Sequence, residues 1–167
     1  MEVVIITGMS GAGKSASSDI FEDLGYYTLD NMPPSLLLSF IDLTTKSKKK
    51  INKIACVVDI RGGEFFADLM KSITLLKNQS IDVKILYLDA SDEILIRRYK
   101  EHRRPHPLAV NGNISEGIAN ERELLSEVRN SADSIINTSN LTLGELRRKI
   151  LSEFSLKDVD TKLALSV

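Results

Sequence analysis

The chain alternates short apolar runs with stretches that carry helical spacing. Val3-Val4-Ile5-Ile6-Thr7 is β-branched and apolar throughout, which reads as a strand buried on both faces. Ala16 to Leu24 then repeats at the helical period and stops at Gly25. Tyr26 to Leu29 predicts a short second strand, ended by Asp30-Asn31-Met32-Pro33-Pro34, and the double proline opens a helix over Ser35 to Leu43. Lys46 to Lys53 is polar and basic, as in a solvated surface loop. The apolar run Ile54 to Ile60 predicts the third strand, Gly62-Gly63 a turn, and Phe65 to Lys77 a helix. Val83 to Leu88 predicts the fourth strand. Ser91 or Asp92 caps the next helix, which carries arginines up to Arg104 and breaks at Pro105-His106-Pro107. After a polar loop, Leu108 to Ser115, a helix is expected over Glu116 to Ala132 and a strand over Ser134 to Asn137. Thr138-Ser139-Asn140 turns into a last helix, Leu143 to Phe154. This alternation predicts an α/β fold of three layers, a parallel sheet with helices on both faces.

Between the first strand and the first helix lies Gly8-Met9-Ser10-Gly11-Ala12-Gly13-Lys14-Ser15, a full match to G-x-x-x-x-G-K-[ST]. Strand, glycine-rich turn and helix are the context in which that pattern becomes a P-loop. Glycine at these positions lets backbone N–H groups converge on a phosphate, where a Cβ would block the approach or forbid the dihedrals. Lys14 brings a point charge to the terminal phosphates, Ser15 places a hydroxyl for Mg²⁺, and the helix N-terminus adds partial positive charge. A turn made only to join strand and helix does not explain Lys14-Ser15. The expected ligand is a nucleoside triphosphate, and 1–157 is expected to be the P-loop nucleotide-binding domain.

Composition narrows the class. The 167 residues suit one domain, and 43% hydrophobic with 27% charged residues suits a globular chain with a real core. A net charge of −1 supplies no positive field for indiscriminate nucleic-acid binding. The single Cys56 excludes an internal disulfide, lies in an apolar run and suits a reducing cytoplasm. No apolar run is long enough for a signal h-region or a membrane span. Cytoplasmic location is therefore the expectation. Lys162 to Val167 starts a strand-like alternation and stops, so 158–167 reads as the start of a truncated C-terminal segment; a terminal edge strand would look the same.

Two acidic residues follow candidate strands expected beside the P-loop strand, where open α/β sheets bind ligands. Asp59 is the natural Walker-B-type carboxylate for Mg²⁺, together with Ser15, with capping of the following helix as the alternative. Asp30 has a choice between positioning Mg²⁺, orienting a water, contacting an acceptor, and simply capping a helix. Arg97 and Arg98 sit about 100° apart on their helix, so they cannot share one face. At least one of them faces solvent or an acidic partner such as Asp92, Glu93 or Glu101. Arg103 and Arg104 precede Pro105, where a lid over the phosphates is expected and its arginines would stabilise transferring charge; a solvated helix face is the alternative. Arg122 and Arg129 are weaker candidates for that job. His102 and His106 lack a third ligand at zinc spacing. Asn137-Thr138-Ser139 stands where a nucleotide base is met in P-loop folds, though Thr and Ser there also make ordinary turns and caps.

Further segments narrow the class again: Glu22-Asp23-Leu24-Gly25-Tyr26, Asp30-Asn31-Met32-Pro33, Val58-Asp59-Ile60-Arg61, Leu86 to Glu93, Arg97-Arg98-Tyr99, Arg103-Arg104-Pro105-His106-Pro107-Leu108 and Ile118 to Glu123. With the P-loop they closely resemble the RapZ/YvcJ family of bacterial P-loop nucleotide-binding proteins, the RNase adapter proteins, over nearly the whole chain. The resemblance implies a nucleotide-kinase-like N-terminal domain that binds ATP or GTP with Mg²⁺ and hydrolyses them weakly. It maps nucleotide contacts onto Gly8, Met9, Ser10, Gly11, Ala12, Gly13, Lys14 and Ser15, and onto Asp59, Ile60, Arg61 and Gly62. From the residues themselves, the expected catalytic set is Lys14, Asp59, Arg103 and Arg104. In the family, regulatory RNA and a ribonuclease are partners of a second, C-terminal domain, so RNA binding is not expected of these residues. The competing readings are a small-molecule or nucleotide kinase that transfers the γ-phosphate of ATP, and an adaptor for which nucleotide is only a ligand switch.

Overall fold

In a computed structural model of the chain, residues 1–46, 51–58, 63–102 and 114–155 are described. Five strands and six α-helices alternate along them: β1 (Glu2–Gly8), α1 (Lys14–Asp23), β2 (Tyr27–Leu29), α2 (Pro34–Lys46), β3 (Lys53–Val57), α3 (Gly63–Asn78), β4 (Asp82–Asp89), α4 (Asp92–His102), α5 (Ile114–Ser131), β5 (Ser134–Asn137) and α6 (Leu143–Ile150). The strands form one parallel sheet in the order β2-β3-β1-β4-β5. β1 is central, and Val3, Val4, Ile5 and Ile6 are all fully buried, as a run without alternation requires. Crossing from β1 to β2 runs one way over the sheet, and every later crossover runs back. Right-handed connections therefore put α1 on one face and α2, α3 and the α4–α5 pair on the other. Packing agrees: α6 returns to α1, whereas α2 packs on α3 and α3 on α5.

Local chemistry fixes the ends of these elements. Pro34 is the first residue of α2, where a missing N–H costs nothing. Ser91 opens α4, its hydroxyl accepting from the Ile94 N–H at 3.4 Å, and Asp92 and Glu93 follow in the first turn. α6 begins with a full capping box in which Thr142 and Glu145 satisfy each other's backbone N–H groups.

Several boundaries differ from the sequence reading. β2 starts at Tyr27, because Tyr26 turns its N–H back to Phe21 O and lays its ring against Phe21. α2 runs on to Lys46. β3 ends at Val57, although Val58 continues the pairing through Ile6 O at 2.9 Å. α5 starts at Ile114, and the last helix changes to a π-helical turn over Leu151–Ser155, where Phe154 meets Phe21 edge-on. Most consequentially, β2 lies at the sheet edge, so Asp30 does not follow a strand beside β1. No described helix is long and apolar enough to cross a membrane. The expected segment 158–167 lies outside the described residues.

Candidate functional site

The turn from β1 into α1 bends around three glycines. Gly8 has φ +144° and lies so close to β4 that an added Cβ would fall 2.1 Å from Leu88 O. Gly11 and Gly13 have φ +84° and +105°, values that side-chain-bearing residues rarely adopt. Met9 N–H donates to Leu88 O at 3.0 Å, which ties the start of the turn to β4. Three of the loop carbonyls are held by side chains. Lys14 Nζ donates to Gly8 O at 3.3 Å, Arg98 Nη1 to Gly11 O at 2.7 Å, and the Thr138 hydroxyl to Ala12 O at 2.7 Å.

The backbone N–H groups of the turn are less fully engaged. Those of Gly11, Gly13, Ser15 and Ala16 have no acceptor among the described residues, and α1 has no side-chain cap. Clustered donors at a helix N-terminus form an anion-binding concavity. The exposed Ser15 stands at its rim on the first turn of α1. A phosphate chain fits this chemistry, and Ser15 offers one oxygen to a cation carried with it.

The sequence-predicted residues divide into two groups. Gly8 to Ser15 form this concavity. Asp59, Ile60, Arg61, Gly62, Arg103, Arg104 and His106 lie outside the described residues, as does the side chain of His102. Arg97 and Arg98 separate as helix geometry requires. Arg98 is half-buried and reaches both Gly11 O and Thr138 O (3.0 Å), while Arg97 is exposed. Arg97 lines a polar cleft of about 560 Å³ with Ser91, Asn137, Ser139 and Asn140. In that cleft Asn137 Oδ1 accepts from Ser139 N–H, and Ser139 Oγ accepts from Ser91 N–H. Asp30 is exposed and accepts from Asn31 N–H at 2.9 Å.

Arg122 and Arg129 are both paired with carboxylates at the end of β4 and the start of α4. Arg122 bonds Asp89 at 2.9 Å, Asp92 at 2.6 Å and Ala90 O at 2.5 Å, while Arg129 lies 3.5 Å from Asp89. Asp92 thus pairs with Arg122 from α5, where the sequence suggested one of the α4 arginines. Burial works against the Arg122 charge, yet the hydrogen bonds to Asp89 and Asp92 outweigh it and hold its pKa above the ordinary value.

Two site residues were not singled out in the sequence. Asp89, nearly buried, ends β4 beside β1, the position argued for Asp59. Its signal was its place directly after the apolar run Val83 to Leu88. Glu121 is also nearly buried and sits on the inner stripe of α5 with Ile118, Leu125 and Val128. Its Oε1 accepts Ser10 N–H at 2.9 Å, and its Oε2 accepts the Ser10 hydroxyl at 2.6 Å. A carboxylate at helical spacing among apolar residues was the available sign.

The family model of the RapZ-like N-terminal domain matches residues 1–158. A protein of Finegoldia magna called a nucleotide-binding protein is 95% identical over the whole chain, which spans 59% of that protein. One of Acetivibrio thermocellus with the same name is 51% identical over 92% of the chain and 53% of its own length. The chain thus spans little more than half the length of these curated relatives. Among solved structures, a shikimate kinase from Acinetobacter baumannii in complex with shikimate aligns with TM-score 0.63 at 19% identity, covering 93% of each chain. A gluconokinase from Sinorhizobium meliloti aligns with TM-score 0.54 at 17% identity, covering 99% of this chain and 97% of its own. The fold is that of the P-loop kinases, with β2-β3-β1-β4-β5 strand order, and by sequence the chain belongs to the family of RapZ-like N-terminal domains.

Proposed function

We propose that this domain binds ATP or GTP with Mg²⁺ at the β1–α1 turn and hydrolyses it slowly, in a regulatory role within a longer protein. The observation that carries this reading is the cluster of N–H donors of Gly11, Gly13, Ser15 and Ala16 without an acceptor among the described residues, in a loop whose carbonyls are held by Lys14, Arg98 and Thr138. The name nucleotide-binding protein on relatives up to 95% identical supports it.

In this reading the inner phosphates lie over the α1 N-terminus, and Lys14 meets the terminal ones. Ser15 and Asp59 would hold Mg²⁺, which would neutralise charge on the phosphates, and Arg103 and Arg104 would stabilise charge on the terminal phosphate. The base occupies the polar cleft of Arg97, Asn137, Ser139 and Asn140, on the far side of Thr138 from the loop. Arg98 spans the two subsites, because one guanidinium holds both Gly11 O and Thr138 O.

A kinase reading is second. The fold neighbours favour it, but it needs a base for an acceptor hydroxyl. Asp89 is held by Arg122 and Arg129, and Asp30 is exposed at the sheet edge. Nucleotide titration of Lys14→Ala beside the unmutated protein tests the main reading. Binding is expected to collapse while the melting transition stays in place; normal titration by the variant would remove the reading. Phosphate transfer from ATP to any member of a metabolite panel would move the kinase reading to first place.

A further inference from the structure

A cavity of about 290 Å³ lies between the end of β4 and the second half of α5. That volume is close to the lower bound for small-molecule pockets. Among the described residues it is lined by Tyr87, Asp89, Arg122, Ser126, Arg129 and Asn130. None of these belongs to the phosphate loop or to the polar cleft of Arg97. Tyr87 and Asp89 alternate along β4 onto one face of the sheet, and the α5 residues recur at helical spacing against them. Tyr87 is only 1% exposed, yet its hydroxyl has no hydrogen-bond partner among the described residues. A phenol this deep ordinarily finds one, because giving up water without a replacement is costly. Burial, and then the Asp89 charge, push its pKa up to about 12, so at neutral pH the hydroxyl is a donor.

The charges in the lining are unequal. Asp89 is negative, and it already takes Arg122 Nη1 at 2.9 Å and Ala90 N–H at 2.8 Å. Arg122 is spent on Asp89, Asp92 and Ala90 O, and Asp92 lies in solvent, where its charge is screened. Arg129 differs. Its Nε lies 3.5 Å from Asp89, and its two Nη groups have no acceptor among the described residues. The Asn130 side-chain amide has none either. A guanidinium fork, a phenol and an amide thus offer donors to one space, with a single cation left to balance. A carboxylate fits a planar fork with one charge, whereas a phosphate dianion would leave a second charge unbalanced. We propose that this cavity is a second ligand site, for a small monocarboxylate: the Nη groups of Arg129 and the Tyr87 hydroxyl donate to the carboxylate, and Asn130 donates from the rim.

The test is an NMR titration of the full chain with sodium butyrate as the probe, followed on backbone amides and arginine Nε–H groups. Butyramide supplies the same shape without the charge, inorganic phosphate the other acid chemistry, and sodium chloride the ionic strength alone. Butyrate is expected to saturate, with shifts centred on Tyr87, Ser126, Arg129 and Asn130, and to bind about fivefold or more tightly than butyramide. Tyr87→Phe removes a hydroxyl that has no partner to lose. It should weaken butyrate binding about threefold or more without lowering the melting transition. Arg129→Gln should weaken it about tenfold. Shifts that fail to saturate, that sodium chloride reproduces, or that butyramide matches would overturn the proposal. Butyrate binding that either variant retains in full would do the same, and tighter binding of phosphate would overturn the choice of a carboxylate. If Tyr87→Phe melts well below the unmutated protein, the hydroxyl serves the fold and loses its place in the site.

Discussion

Arg98 of α4 donates to Gly11 O of the phosphate loop at 2.7 Å, across 87 residues of sequence. The same guanidinium bonds Thr138 O at 3.0 Å, so it fixes the phosphate loop relative to the β5–α6 turn. Removing it frees the Gly11 carbonyl and loosens the loop that carries the N–H donors. Arg98→Ala is expected to weaken nucleotide binding about tenfold and to cost about 1–2 kcal/mol of stability, the scale of lost hydrogen bonds from a charged donor. Arg98→Lys should not restore binding, because one ammonium cannot span two carbonyls as a planar guanidinium does. Titration and urea unfolding of both variants decide it; full rescue by lysine would show that charge alone matters.

Gly8 and Gly25 both have positive φ, at +144° and +92°, yet their surroundings differ. A Cβ at Gly8 meets Leu88 O at 2.1 Å and Leu88 N at 2.7 Å, whereas Gly25 has open space around it. Gly25→Ala therefore carries only backbone strain, about 1 kcal/mol. Gly8→Ala must also push β1 from β4 and is expected to cost about 3 kcal/mol or more. Urea midpoints of the two variants measure the difference. Similar costs would mean that the β1–β4 contact yields easily.

The sequence made the strand–loop–helix unit legible because its signals are local. Val3 to Thr7, three glycines and Lys14-Ser15 specify their own conformations, and the capping residues at Ser91 and Thr142 do likewise. The partners of the loop were hidden because they are not local. Nothing in the helical spacing of α4 says which of Arg97 and Arg98 meets Gly11; the crossing of α4 over the loop decides that. Strand order is likewise not local, so the pattern around Asp30 did not show that β2 lies at the sheet edge. The Asn137-Thr138-Ser139 segment fits a base contact or an ordinary turn, and only the fold shows that the Thr138 hydroxyl holds Ala12 O. Glu121 and Asp89 could have been found by asking which charged residues fall on buried stripes or directly after buried strands.

Asp89 and Arg122 form a partly buried pair at 2.9 Å, with side-chain exposures of 11% and 32%. Asp89 also accepts Ala90 N–H at 2.8 Å, and Arg122 reaches Asp92 and Ala90 O, so the pair fastens α5 to the end of β4. Removing one partner leaves the other poorly compensated. Arg122→Met is expected to cost about 2 kcal/mol, below the range for fully buried pairs because the guanidinium is one-third exposed and Arg129 remains nearby. Asp89→Asn with Arg122→Met should cost less than the sum of the single changes. A double-mutant cycle in urea reads the coupling directly, and strict additivity would count against the pair as a fastening.

Alkaline pH should destabilise the fold through two buried acids. Cys56 is fully buried in β3, and burial pushes its thiol from 9.0 up to about 12. Tyr87 is almost fully buried in β4 and is pushed from 10.0 to about 12, mainly by burial and then by the Asp89 charge, with Arg122 opposing. In both cases the unfolded chain releases its proton first. The folded state then binds more protons than the unfolded state, so stability falls as pH rises. The contribution is complete below pH 9.0 and is lost progressively towards about pH 12, with Cys56 acting first and Tyr87 from about pH 10. Urea unfolding followed across pH 7 to 11 should show a plateau and then a decline. Cys56→Ala should move the start of that decline up by about one unit, because only Tyr87 then remains. A decline with the same onset in both proteins would show that the Cys56 thiol is not held neutral by the fold.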